Sequence, residues 1–156
     1  MKRLFSICIL ATAIFILPAY DKNDIILKDI EITIIKAENT LRYDLSLRNT
    51  GNEDINSEYD YPGHHLTGFE VVVRPNEKLE SLMQMEEQTE FKKMRFRGSG
   101  GTGLLKIGND ANFHIEYQIK TTSDLNDVKK NAFDSTLILL DGHKIVKEFP
   151  LKKFLK

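Results

Sequence analysis

The residues best equipped for chemistry fall in one stretch, Glu53 to His65, which holds Asp54, Glu58, Tyr59, Asp60, Tyr61, His64 and His65. Carboxylates and imidazoles within a dozen residues are raw material for a metal site. Tyrosines supply contact area at low entropic cost, the material of a binding loop. For metal the spacing is unfavourable. His64 and His65 are adjacent, so an extended backbone points them to opposite sides, and neither a Cys/His zinc spacing nor H-E-x-x-H is present. Asp54-x-Asn56-x-Glu58 opens like a calcium loop, then lacks its glycine and closing glutamate. Two readings stand: a recognition loop, or Tyr59 and Tyr61 packed over the end of the fold with the charges solvated.

A second group is Lys93, Arg95 and Arg97, whose spacing of two predicts a basic stripe on one strand face. Such a stripe could meet an anionic polymer or an acidic protein patch. It serves equally as a charged edge against aggregation. His114 falls on the outward side of an alternating segment and His143 follows an Asp-Gly turn, so both read as surface residues. No serine sits in a G-x-S-x-G context, and Gly98 to Gly103 lacks the Gly-Lys-Ser/Thr of a phosphate loop. With no convergent acid, base and nucleophile, the expectation is a protein that binds rather than catalyses, with no cofactor.

These residues must be held by strands. Leu41, Tyr43, Leu45 and Leu47 alternate with Arg42, Asp44, Ser46 and Arg48 and stop at Asn49-Thr50-Gly51, the pattern of a half-buried strand ending in a turn. Before it, Ile25 to Lys36 forms a strand with Ile30, Ile32 and Ile34 on one side. Phe69 to Arg74 is a β-branched strand before a reversal at Pro75-Asn76. Glu77 to Gln88 fits helix and strand almost equally, and the reversal favours strand. Phe91 to Arg97 reads as a strand with Met94 and Phe96 inward, Gly98 to Gly103 as a flexible connection, and Phe113 to Ile119 as a strand with its odd-numbered residues inward. Ser123 is placed to cap a short helix near 123–132. Thr136 to Leu140 is apolar on both faces, as in a central strand, and Asp141-Gly142 turns it into Lys144 to Phe149. The alternating strand at Leu41 needs a cover, expected from Phe113 to Ile119 and this last hairpin. Seven or eight strands, one short helix and no βαβ rhythm predict an all-β antiparallel sandwich, with a closed barrel as the alternative.

The N-terminus, Met1-Lys2-Arg3 followed by fourteen uncharged residues to Leu17 and then Pro18-Ala19, matches a secretory signal peptide over residues 1–19. An uncleaved anchor is the other reading, and the only expected contact with a membrane. Cys8, the one cysteine, lies in this run, so a chain cleaved after Ala19 has no thiol and must rely on its core. Residues 20–156 suffice for one domain. Loss of Lys2 and Arg3 leaves 20 basic residues against 23 acidic ones, a formal charge of −3 that disfavours nucleic acid as a partner.

Leu45-x-Leu47-x-Asn49-Thr50-Gly51, with Leu105-Lys106-Ile107-Gly108 before Phe113-x-Ile115-x-Tyr117, resembles the immunoglobulin-like modules of secreted bacterial proteins, of the CARDB kind and of the Bacillus intracellular-proteinase-inhibitor kind. The resemblance covers roughly residues 41 to 149. It implies an immunoglobulin-like sandwich and a binding or inhibitory role, and it carries no catalytic residue. Gly108-Asn109-Asp110 stands where those modules have a proline-containing turn. The function expected is that of an exported, non-enzymatic binding domain of the cell envelope or secreted fraction, with a protein or a cell-surface polymer as partner. A secreted proteinase inhibitor and a metal- or small-ligand-binding envelope domain are the alternatives.

Overall fold

In the computed structural model, residues 24–57, 69–87, 91, 93–102 and 105–155 are described. Residues 1–19, the expected signal peptide, lie outside them. Among the described residues, seven strands form two antiparallel sheets. Strand β1 (Ile25–Ile35) runs through a short 3-10 turn at Lys36–Glu38 into β2 (Thr40–Asn49). Asn39 takes the left-handed conformation there, φ 49°, which asparagine tolerates better than most residues. Next come β3 (Phe69–Pro75), helix α1 (Glu77–Leu82), β4 (Phe96–Gly101), β5 (Asp110–Gln118), helix α2 (Leu125–Asn131), β6 (Ser135–Asp141), β7 (Lys144–Pro150) and a final 3-10 turn at Leu151–Phe154. One sheet has the order β1-β2-β5-β4 and the other β3-β6-β7.

The period-two patterns decide which faces are buried. Leu41, Tyr43, Leu45 and Leu47 on β2 and Ala111, Phe113, Ile115 and Tyr117 on β5 all face one core. Phe69, Val71 and Val73 of β3 and Leu137 and Leu139 of β6 meet them from the other sheet. The expected cover is thus corrected in part. Phe113 to Ile119 lies beside β2 in the same sheet, and the covering layer is β3-β6-β7. Strand β6 is central, as its two apolar faces require: Ile138 and Leu140, with Val72, form a second small cluster on the far face of their sheet, against Phe91.

In β1 a bulge between Leu27 and Asp29 shifts the inward set from odd to even numbers. Ile25, Leu27 and Ile30 are buried in consequence, while Ile32 and Ile34 pack only partly.

Four further expectations are corrected. The segment after Pro75-Asn76 does not reverse into a strand: the Asn76 side chain accepts a hydrogen bond from Leu79 N–H at 2.7 Å and starts a helix, which acidic Glu77 and Glu80 favour in its first turn. The helix stops at Met83, where the chain extends and bridges to Ile119 and, from Met85, to Met94. Phe96 shares the inner face but is not buried. Met94 is fully buried, whereas Phe96, opposite Tyr117 on the edge strand, is 50% exposed, and a bulge between Phe96 and Gly98 breaks the alternation after it. The glycines at 98–101 are a paired strand rather than a flexible link. Ser123 does not cap α2. Asp124 accepts from Asn126 and Asp127 N–H, and the Ser123 hydroxyl donates to Leu82 O.

Two tyrosine hydroxyls complete the core. Tyr117 accepts the Val73 N–H of β3 at 2.8 Å, and Tyr43 donates to Ala132 O at the end of α2 at 3.0 Å. Their rings meet edge to face, 6.2 Å between centroids.

Candidate binding surface

On the outer face of the four-stranded sheet, the polar residues of the alternating strands come into rows. Cross-strand pairing lines up Glu31, Asp44, His114 and Gly100 in one row. Asp29, Ser46 and Asn112 form the next, and Thr33, Arg42, Glu116 and Gly98 the third. Residues opposite each other in a ladder share a face, so nine polar side chains end on one plane, with the glycine strand along its side. A shallow depression of about 290 Å³ opens there, lined by Asp29, Glu31, Asp44, Ser46, Gly100 and His114 among others.

The charges are unevenly matched. Arg42 Nε holds Asp44 at 2.8 Å, and its Nη1 reaches Glu116 at 3.1 Å. The guanidinium hydrogen bond keeps the Asp44 carboxyl below its ordinary range against a smaller opposing effect of burial, with the guanidinium charge and His114 assisting. The same bond raises Arg42. Asp110, at the lower end of β5, accepts from Arg48 at 2.6 Å and from Lys28, and both bonds lower it. Asp29 and Glu31 have no ion pair among the described residues. The plane therefore carries surplus negative charge over β1.

Side-chain bulk explains the glycines. A Cβ on Gly100 would lie 2.5 Å from His114 Cε1, and one on Gly101 would lie 2.6 Å from Phe113 Cδ1 and 2.8 Å from Asn112 O. The imidazole and the phenyl ring of β5 thus lean across β4 and occupy the space a side chain would need. Aromatic groups laid over glycines in this way support an edge strand.

The residues singled out in the sequence are placed differently. Glu58, Tyr59, Asp60, Tyr61, His64 and His65 lie outside the described residues. The start of their loop is firmly held. Asn49 is fully buried; its side-chain nitrogen donates to Glu53 O at 2.7 Å and Leu105 O at 2.9 Å, and its oxygen accepts from Gly51 N–H. Ile55 is buried and bridges to Leu105, and Asp54 accepts from Ile107 N–H. Ser57 donates to the Asp141 carboxylate, tying the loop to β6.

Lys93, Arg95 and Arg97 do not form one strand face. Lys93 and Arg95 precede β4, and Arg97 sits in its bulge. Each has an acceptor: Lys93 pairs with Glu70 at 3.0 Å, Arg95 bonds Gln84 at 3.1 Å, and Arg97 faces Glu38 at 3.7 Å. His114 is on the outer face, as its position in the alternation predicts, and His143 is exposed in the β6–β7 turn.

Sequence reasoning missed Asp29, Glu31, Asp44 and Asn112 as a group. Their signal was the polar half of each alternating strand, but which strands stand side by side is not written in any one of them. Compared with known proteins, the chain matches no family model, no curated protein and no solved structure.

Proposed function

We propose that this chain is an exported, non-enzymatic binding domain of immunoglobulin-like fold, and that it binds through the outer face of the four-stranded sheet. The fold assignment draws support from strand order. Lettered A to G along the chain, β1 to β7 give the sheets A-B-E-D and C-F-G, the arrangement of constant-type immunoglobulin domains. Export draws support from the basic start and apolar run of residues 1–19.

Fold alone does not assign function, so the reading rests on one observation of the site. Among the described residues Asp29 and Glu31 have no ion pair, and they line a depression whose other carboxylate, Asp44, is fixed by Arg42. A surface held on paired strands loses little freedom on binding, which favours recognition. A protein partner or a surface polymer bearing positive charge fits it.

Retention of the purified protein on isolated cell envelopes tests the reading. Wild type is expected to be retained, and the double substitution Asp29→Lys, Glu31→Lys to be retained several-fold less. Equal loss on replacing residues 53–65, with the double variant unchanged, moves the site to that loop. Absence of retention together with slowing of a protease favours the inhibitor alternative.

A further inference from the structure

Resting on the reading of this chain as a binding domain, we propose that the free edge of β4 accepts an extended segment of a partner protein as an added strand. That segment carries lysine or arginine at alternate positions, beside Gly98 and Gly100. Strand β4 ends the order β1-β2-β5-β4, so among the described residues one of its sides has no neighbouring strand. Thr102 N–H donates to Asn112 O at 3.0 Å. The alternation of an antiparallel ladder then directs Gly100 and Gly98 toward β5, and turns the N–H and C=O groups of Ser99 and Gly101 to the free edge. Those groups are what strand addition uses.

The two edges of this sheet are unlike. Strand β1 carries a bulge at Leu27/Asp29 and exposed Lys28, Asp29 and Glu31, all devices that discourage pairing. From Gly98 to Gly101, β4 has no charge, no proline and only one side chain, that of Ser99. Its bulge lies at the far end, between Phe96 and Gly98.

Charge selects the occupant. Gly98 and Gly100 share the outer face with Glu116 and His114. The Glu116 carboxylate comes within 3.6 Å of where a Cβ on Gly98 would stand, so it overhangs the strand toward the edge. A side chain on an added strand meets none from Gly98 and can extend over it to Glu116, while beside Gly100 it meets the His114 imidazole that lies across that glycine. Behind it lie Asp44, Glu31 and Asp29, with Arg42 the one full cation in these rows. Arg97, at the start of β4, repels a cation at that end and confines the basic residues to the glycine half.

The test titrates the isotope-labelled protein with an octapeptide alternating lysine with threonine and valine, and with the same peptide carrying glutamate for lysine. Expected are saturable shifts centred on the Ser99 and Gly101 amides, slower hydrogen exchange at those two amides, and at least tenfold weaker binding of the glutamate peptide. Ser99→Pro removes an edge donor without removing a bond to β5, a place where strands tolerate proline. It should weaken the lysine peptide at least tenfold while its melting temperature stays near that of wild type. Asp29→Lys with Glu31→Lys should weaken it several-fold with the edge amides intact.

The proposal is overturned if neither peptide binds saturably, if both bind equally, or if shifts and exchange protection spare Ser99 and Gly101. A protein that dimerises alone and becomes monomeric on Ser99→Pro assigns the edge to a second copy and also overturns it. Envelope retention without peptide binding removes only this inference. Peptide binding without retention removes the envelope reading and leaves the edge in place.

Discussion

Tyr43 and Tyr117 look alike in the sequence, one apolar position in each of two alternating strands, yet their hydroxyls hold different partners. Tyr117 gives Val73 N–H an acceptor at a sheet edge inside the protein, whereas the Ala132 carbonyl that receives Tyr43 also receives Ser135 Oγ at 2.6 Å. Removing one oxygen therefore orphans a buried donor in the first case and leaves the carbonyl satisfied in the second. Tyr117→Phe is expected to cost about 1–3 kcal/mol and Tyr43→Phe about 1 kcal/mol or less. Urea unfolding of the two variants checks the order, and equal losses would refute it. At this scale the sequence was partly legible. The inward positions of both tyrosines follow from alternation, but hydroxyl partners come from residues 44 and 89 positions away. Asn49 is similar: its turn signal was readable, and its knot of three bonds to Gly51, Glu53 and Leu105 was not.

Elements were legible where period two ran unbroken, as in β2 and β5, and misread where a bulge or a cap intervened. A single extra residue near Arg97 breaks the alternation between Phe96 and Gly98, and the Asn76 cap converts a hairpin reading into a helix. The glycine strand was misread for a different reason. Glycine signals flexibility in isolation, but here it marks space filled by neighbours on β5. The three positions should respond unequally to alanine. At Gly98 the nearest atom is 3.6 Å away, so Gly98→Ala is expected to be neutral or to stabilise by up to about 1 kcal/mol through the unfolded chain. At Gly101 a backbone oxygen stands at 2.8 Å, so Gly101→Ala is expected to cost about 1–3 kcal/mol. Gly100→Ala falls between, because the atom it meets is the movable end of His114. Thermal melts of the three variants give the ranking.

For the whole molecule, the count of strands and the all-β class were readable from turn spacing, and the pairing of strands was not. The candidate surface depends on that pairing. Asp29, Glu31, Asp44 and His114 span about 85 positions of sequence and become neighbours only when β1, β2 and β5 stand in that order. The loop at 53–65 drew attention because its polar residues are contiguous in sequence, which is the one kind of proximity a sequence displays.

The edge-to-face tyrosine pair lies where the two sheets meet, in a chain with no tryptophan. Burial raises both phenols well above their ordinary 10.0. A group whose folded value is raised contributes stability that is full below its unfolded value and is lost as pH climbs toward the folded one. The protein should accordingly weaken above pH 10, and Tyr43 and Tyr117 should ionise only as the sheets part. Phenolate absorbance followed alongside far-ultraviolet dichroism in an alkaline titration should then show a late step coincident with loss of β structure, whereas ionisation of these two before that loss would contradict it. The molecule thus carries its own optical gauge of whether its layers are closed, with no label attached.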